Sequence, residues 1–328
     1  MTGLIATSSA ATFPSMFSVS RRFGSYAAFV LVFNLAVILW GAYVRATGSG
    51  AGCGDHWPLC NGEVVPRPQD VAMWIELTHR ATSGLSLLAV LGLVVGAFRG
   101  FPAGHPARRG ALFSAVFILT EALLGAGLVL LRLVARDTSI TRAWAHALHL
   151  VNTFTLVAAL SLTVWWGFDQ PDLRLRGRRR EAWLLGVGAV ATIVLAVSGG
   201  IAALGDTLFP ARSLAEGFAQ DLSPSAHVLL RLRLWHPVAA VVVGAWLFGS
   251  VWTVHRAVSS PLTRTLAWTF TGLFLAQLAL GVANVWLLAP VWLQLVHLFV
   301  ADALWVVLVF FTAAALSHPN TATVSTAR

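Results

Sequence analysis

Apolar runs about 20 residues long alternate with short polar segments along the whole chain, and no strand-like alternation of polar and apolar positions interrupts them. A helix crossing a bilayer needs about 20 mostly apolar residues at ~1.5 Å rise each. Runs of that length fall near 25–45, 73–98, 109–131, 143–167, 182–203, 234–254, 264–288 and 291–316. Their interiors hold Gly and Thr but little charge, so the pattern predicts eight transmembrane helices and argues against a β-barrel. The composition, 57% hydrophobic and 11% charged with mean hydropathy +0.77, is more apolar than that of a soluble domain. The first twenty residues have no basic segment ahead of an apolar core, so no cleaved signal peptide is predicted; the first span is expected to act as its own signal.

Charge adds orientation. All 22 basic residues are arginine. Arg21 and Arg22 precede the first span, Arg99, Arg108 and Arg109 separate spans two and three, Arg174 to Arg180 separate four and five, and Arg256 and Arg264 separate six and seven. The positive-inside rule puts these segments and both termini in the cytoplasm, leaving 46–72, 132–142, 204–233 and a turn near Ala289–Pro290 on the outer face. The net charge of +9 is spread over short loops beside spans, which suits a lipid bilayer rather than nucleic acid.

Within this frame His79, His149, His236 and His297 each lie near the outer start of an even-numbered span, at similar depth. They fall into two pairs: His79 and His236 are 157 residues apart, His149 and His297 are 148. Gly41 with Gly199, Glu121 with Gln277, and Gly125 with Gly281 repeat at 156 to 158, and a shorter turn before the last span explains the smaller second offset. The expected fold is therefore all-α and polytopic, eight transmembrane helices as two repeated four-helix bundles. The boundaries expected are a cytoplasmic segment 1–24, a first bundle 25–170, a second 171–317 and a cytoplasmic tail 318–328.

Ionisable side chains inside lipid are costly and generally functional. Neutral imidazole suits iron, and a four-helix unit can present two histidines across its core. We expect one heme between His79 and His149 and a second between His236 and His297; the alternative is that each histidine hydrogen-bonds a neighbouring helix. His146 shares a face with His149 and competes with it as ligand, but has no partner in the second half. His56 and His227 fall on the outer side, and His105, His255 and His318 on the cytoplasmic side, where a solvated role is expected.

Glu76 lies one turn before His79, roughly 4.5 Å nearer the outer surface. A carboxylate there would sit beside a porphyrin edge and could move protons or stabilise developing positive charge; the alternative is a salt bridge to Arg45 or Arg80. The second half has Arg233 at the matching place, so the two sites are chemically unequal. Cys53 and Cys60, the only cysteines, lie in a Gly- and Pro-containing outer segment and are expected to form a disulfide, either a loop staple or a thiol-exchanging pair.

The segment Gly41-Ala-Tyr-Val-Arg45-Ala-Thr-Gly-Ser-Gly, the Cys53 to Cys60 loop with Trp57-Pro58-Leu59-Cys60-Asn61-Gly62, Glu76-Leu-Thr-His79-Arg80, and the His-Leu pairs at His149 and His297 resemble the heme A synthase family of cytochrome oxidase assembly proteins, from about Tyr26 to Leu316. The resemblance implies oxidation of a methyl substituent of heme O to a formyl group, giving heme A for terminal oxidases. It implies that His79 and His149 hold the substrate, with Glu76 taking part in the chemistry, and that His236 and His297 hold a heme b cofactor that relays electrons to an acceptor the sequence does not identify. A heme O synthase is the implied supplier. Some members of that family carry a second cysteine pair in the outer loop of the second half; Gly205 to Ser223 has none here. Arg45, Arg80, Arg142, Arg231 and Arg233 are available as propionate partners, although interfacial anchoring explains them equally well. The alternatives are a diheme b-type cytochrome carrying electrons to or from quinone, which leaves Glu76 and the cysteine loop unexplained, and a transporter, which would more naturally show broken helices.

Overall fold

The computed structural model describes residues 16–67 and 69–317. The expected terminal segments, 1–24 as far as residue 15 and 318–328 with His318, lie outside the described residues. Among the described residues the secondary structure is helical throughout: α1 (Met16–Ala46), α2 (Val71–Gly100), α3 (Pro106–Leu130), α4 (Ile140–Gly167), α5 (Arg179–Leu208), α6 (Leu214–Leu222), α7 (Val228–Ala257), α8 (Pro261–Trp286) and α9 (Val291–Ser317), with one 3₁₀ turn at Ser49–Ala51. All of these but α6 are long and apolar enough to cross a membrane, and the chain is a multi-pass membrane protein.

Polar caps carry the spans a few residues past their apolar runs. Asp70 accepts from the amide of Met73 at the start of α2, Ser139 from Arg142 at α4, and Ser260 from Thr263 at α8, where a reciprocal capping box forms. Pro106 and Pro261 open α3 and α8, where a missing N–H costs nothing.

The outer segment expected over 204–233 is not a loop throughout. α5 runs on to Leu208, α7 begins at Val228, and the short α6 lies between them. Its signal is local: Ser213 caps the amide of Glu216, and Glu216 accepts from the amide of Arg212.

α1, α2, α3 and α4 pack in a closed cycle, each against the next and α4 back against α1; α5, α7, α8 and α9 do the same. The two sets meet along a seam where α4 and α1 touch α5 and α9. α4 and α9 are accordingly the most enclosed spans, whereas α3 and α8 turn residues such as Phe113, Leu123, Leu275 and Val282 outward, as a lipid-facing surface requires. The seam carries its own contacts: Trp305 of α9 donates to the Phe154 carbonyl of α4 at 2.8 Å, and the two rings lie 5.7 Å apart. Small residues bring backbones close within a set, Gly24 of α1 standing directly against Phe168 and Gly167 at the end of α4.

Candidate functional site

The four histidines lie between the seventh and tenth residues of α2, α4, α7 and α9, which puts them roughly 9–14 Å from the same end of their helices. All four are half-buried. His79 and His149 are close enough to interact electrostatically, and so are His236 and His297.

A glycine on a neighbouring helix faces each ring. A Cβ on Gly41 would stand 2.9 Å from His79 Cε1, and one on Gly199 2.8 Å from His236 Cε1; Gly125 and Gly281 face His149 and His297 at 3.9 and 3.5 Å. The Nδ1 atoms of His79, His149 and His297 are buried without a hydrogen-bond partner, while His236 Nδ1 lies 2.9 Å from the Ser198 hydroxyl. Pro237 follows His236 inside α7 and withholds the amide that would bond one turn back, to Arg233.

The residues around the two pairs are unequal. Beside His149, Glu121 Oε2 lies 3.5 Å from Nδ1. Beside His297, the Nε2 atom of Gln277 lies 3.2 Å from the ring Nε2. His146 turns away from the first pair's centre toward the seam, where a Cβ on Gly200 of α5 would lie 3.4 Å from its Nε2.

Glu76 is 3% exposed. One oxygen accepts from Arg80 at 2.5 Å and the other from the Cys53 amide at 2.8 Å. The salt bridge weighed as the alternative for this residue thus forms with Arg80 rather than Arg45. Arg80 also donates to the carbonyls of His56 and Leu59, both at 2.6 Å, so the Glu76–Arg80 pair holds down the loop between α1 and α2. Cys53 and Cys60 form the expected disulfide within that loop, packed on Met73. Gly52 permits the docking: its Cβ would lie 2.5 Å from backbone atoms of Ala72 and Met73. At the edge of the loop Asp55 accepts from Arg132 at 3.0 Å, and this bond holds the Asp55 carboxyl below the usual carboxylate range.

Each arginine expected at a propionate is engaged by protein groups. Arg45 reaches across the seam to the Ala203 carbonyl, the Thr207 hydroxyl and Gln294 Oε1 at 2.7–2.9 Å. Arg80 holds the loop, and Arg142, 5% exposed, donates to the carbonyls of Ala135 and Asp137. Arg231 donates to the Pro224 carbonyl, and Arg233 pairs with Asp206 and Asp221. Of the other histidines, His227 and His105 cap α7 and α3, and burial pushes the His105 imidazole below its ordinary range. His255 lies against Thr263 and Trp252.

Sequence reasoning passed over three features. The partners of Arg45 are 158 to 249 residues away and carry no local signal. Asp206 and Asp221 were hidden in the supposed loop. Asp302, 2% exposed with Oδ2 unpartnered, was visible as the single acid of the last span.

The chain matches the family described as cytochrome oxidase assembly protein over residues 24–309. It is 50% identical over 297 residues to a protein from Thermus thermophilus named protoheme IX farnesyltransferase, a match that covers 90% of this chain and 49% of that one. It is 27% identical over 244 residues to heme A synthase from Staphylococcus aureus, covering 73% of this chain and 76% of that protein. The chain thus spans about half the length of the Thermus relative.

Proposed function

The chain belongs to the cytochrome oxidase assembly family, and from that premise we propose that it is a membrane oxidoreductase that binds two hemes and converts heme O to heme A. The observation that carries the proposal is the pair of matched imidazole couples at one depth, two of their rings seated against a glycine that leaves no room for a methyl group. A porphyrin iron fits these residues: the rings of His79 and His297 each keep a buried Nδ1 that no protein group satisfies, and imidazole is a usual axial ligand. His79 and His149 would hold the substrate heme O, and His236 and His297 a resident heme b. The heme b would supply one-electron acceptor chemistry. We assign the substrate to 25–170 because the disulfide loop and Glu76 lie there, and the cofactor to 171–317.

The chain's own residues then have definite tasks. The histidine pairs would hold each porphyrin through its iron. Glu76, one turn outward from His79, is the group proposed to stabilise positive charge developing on the ring methyl and to accept a proton from it. Arg80 and the Cys53 amide fix the direction of that carboxylate, and the loop they anchor shields the site from water. The orientation proposed is a bacterial inner-membrane one, termini in the cytoplasm and both sites toward the outer face, following the arginine distribution.

The Thermus relative's name favours a second reading, transfer of a farnesyl group to protoheme IX. That name describes a protein about twice as long, and this chain, which matches about half of it, is also similar to heme A synthase. The two acids that converge in the second half, Asp206 and Asp221, are both committed to Arg233 rather than free to hold the magnesium a diphosphate would bring. We therefore take a farnesyltransferase as the supplier of heme O.

The test is expression of the whole chain in a host that makes heme O, followed by acid extraction and chromatography of the hemes. Heme A should appear with wild type and not with Glu76→Gln or His79→Ala. Heme A unchanged in Glu76→Gln would remove the catalytic role of that residue. Heme O made from protoheme and farnesyl diphosphate by the purified chain would favour transfer instead.

A further inference from the structure

The two histidine pairs differ most in what faces their second member. Glu121 of α3 and Gln277 of α8 occupy matching places, 156 residues apart, one an acid and the other its neutral amide. The Glu121 carboxylate is directed at His149: its Oε2 lies 3.5 Å from the ring Nδ1, near enough for a small ring rotation to close a hydrogen bond. It is held there from α4, by Asn152 Nδ2 at 2.6 Å on Oε2 and by the Thr153 hydroxyl on Oε1. Asn152 is itself fixed by the Thr120 hydroxyl at 2.5 Å and the Phe117 carbonyl at 2.9 Å. Both groups that hold Glu121 lie one turn past His149, so the carboxylate and the ring it faces are set by the same stretch of helix. At His297 the counterpart, Gln277, presents its NH2 nitrogen to the other ring nitrogen, Nε2, while its oxygen and the ring Nδ1 are buried without a partner.

We propose that Glu121 is a positioning residue that makes His149 the more electron-rich ligand, so that iron held by the first pair is harder to reduce than iron held by the second. The inference rests on the heme-binding function proposed above. A carboxylate accepting the distal N–H of a ligating imidazole raises the ring's basicity and stabilises the ferric state, whereas the NH2 group that Gln277 presents can only donate and has no such effect. The effect is enhanced where the surroundings are apolar, as here, because the charge is poorly screened. With a heme in each site, electron transfer from the first to the second would be downhill. That is the direction a reaction needs when its substrate lies in the first half and its relay in the second. The matching glycines at 125 and 281 leave both rings ordinary clearance, so packing does not account for the difference.

The test is a potentiometric titration, followed by optical absorption, of the full chain purified with its hemes. Glu121→Gln and Gln277→Glu are compared with wild type, and each transition is assigned by whether His79→Ala or His236→Ala abolishes it. Glu121→Gln should raise the midpoint of the first site and leave the second in place; Gln277→Glu should lower the second and leave the first. If one variant does not fold, the other decides alone. Midpoints that stay put while both hemes remain bound overturn the tuning inference and leave the heme-binding function standing. A wild-type chain that carries no bis-imidazole heme overturns both.

Discussion

Replacing Gly41 by alanine would set a methyl carbon 2.9 Å from His79 Cε1 and 3.1 Å from Nε2. Carbon atoms rest at about 3.5–4.0 Å, so the ring must withdraw by roughly 0.6 Å. The imidazole can swing on its own side-chain bonds, so the helices need not part. Alanine also favours a helix over glycine by about 1 kcal/mol. The fold should therefore be as stable as wild type or slightly more so. The grip on heme should suffer, because a site of this kind tolerates about 0.5 Å of misplacement. An off-rotamer side chain costs about 0.5–1.5 kcal/mol, or roughly 2- to 12-fold in heme affinity. Gly199→Ala should do the same at His236, where the contact would be 2.8 Å. Gly125→Ala and Gly281→Ala, at 3.9 and 3.5 Å from His149 and His297, are the internal controls. The assay is heme content per protein and heme off-rate to an acceptor globin, alongside thermal unfolding of each variant. If all four variants lose heme alike, or Gly41→Ala keeps it as Gly125→Ala does, close seating of the ring is not what holds the iron.

Gly52→Ala would press a methyl to 2.5 Å from the backbone of α2, which cannot yield, so the disulfide loop should undock at a cost of about 1–3 kcal/mol and be cut faster by protease; an unchanged cleavage rate refutes this. Asp55 titrates below the usual range because Arg132 binds its charged form, so this contact is fully present above the unfolded carboxylate's pKa and is lost as pH falls through the depressed value. Hydrogen exchange of residues 47–67 should accelerate on that acid limb, and Arg132→Ala, which removes the contact at every pH, should abolish that step; a step that survives in Arg132→Ala contradicts the assignment. Trp305→Phe removes the seam bond to Phe154 and should cost about 0.6 kcal/mol, as membrane-buried hydrogen bonds do on average, read by detergent-induced unfolding; a loss several times larger would mean the seam depends on the indole for more than that bond.

The eight spans were legible because lipid forces backbone polar groups into helices, so an apolar run of sufficient length has one structural outcome. Most of their ends were read short, by nine residues at the start of α1 (16 against 25) and by fewer elsewhere, since caps such as Asp70 and Ser139 extend helices into polar sequence. α6 was missed because hydropathy is blind to a short amphipathic helix, although Ser213 with Glu216 three residues on is a recognisable start. The histidine pairs were readable from their spacing, because a repeated chain places equivalent residues at equal depth. Arg80 could be named as a salt-bridge partner of Glu76 because residues four apart share a helix face. What could not be read was where particular side chains would turn: Arg142 to the carbonyls of Ala135 and Asp137 in the turn before α4, Arg233 to Asp206 of α5 and Asp221 of α6, and His146 to Gly200 of α5.

Arg45 ties the order of synthesis to the order of assembly. The guanidinium leaves the ribosome with the first helix, yet the amide oxygen that completes its coordination belongs to Gln294, 249 residues later. At translation rates of about 5–20 residues per second, that interval is roughly 12–50 s, during which the cation must stay at the membrane surface in water. The last span thus acts as a closing latch on the first. A chain truncated before residue 291 would keep a charged, half-satisfied side chain at its interface, a mark by which quality-control proteases could tell an unfinished molecule from a finished one.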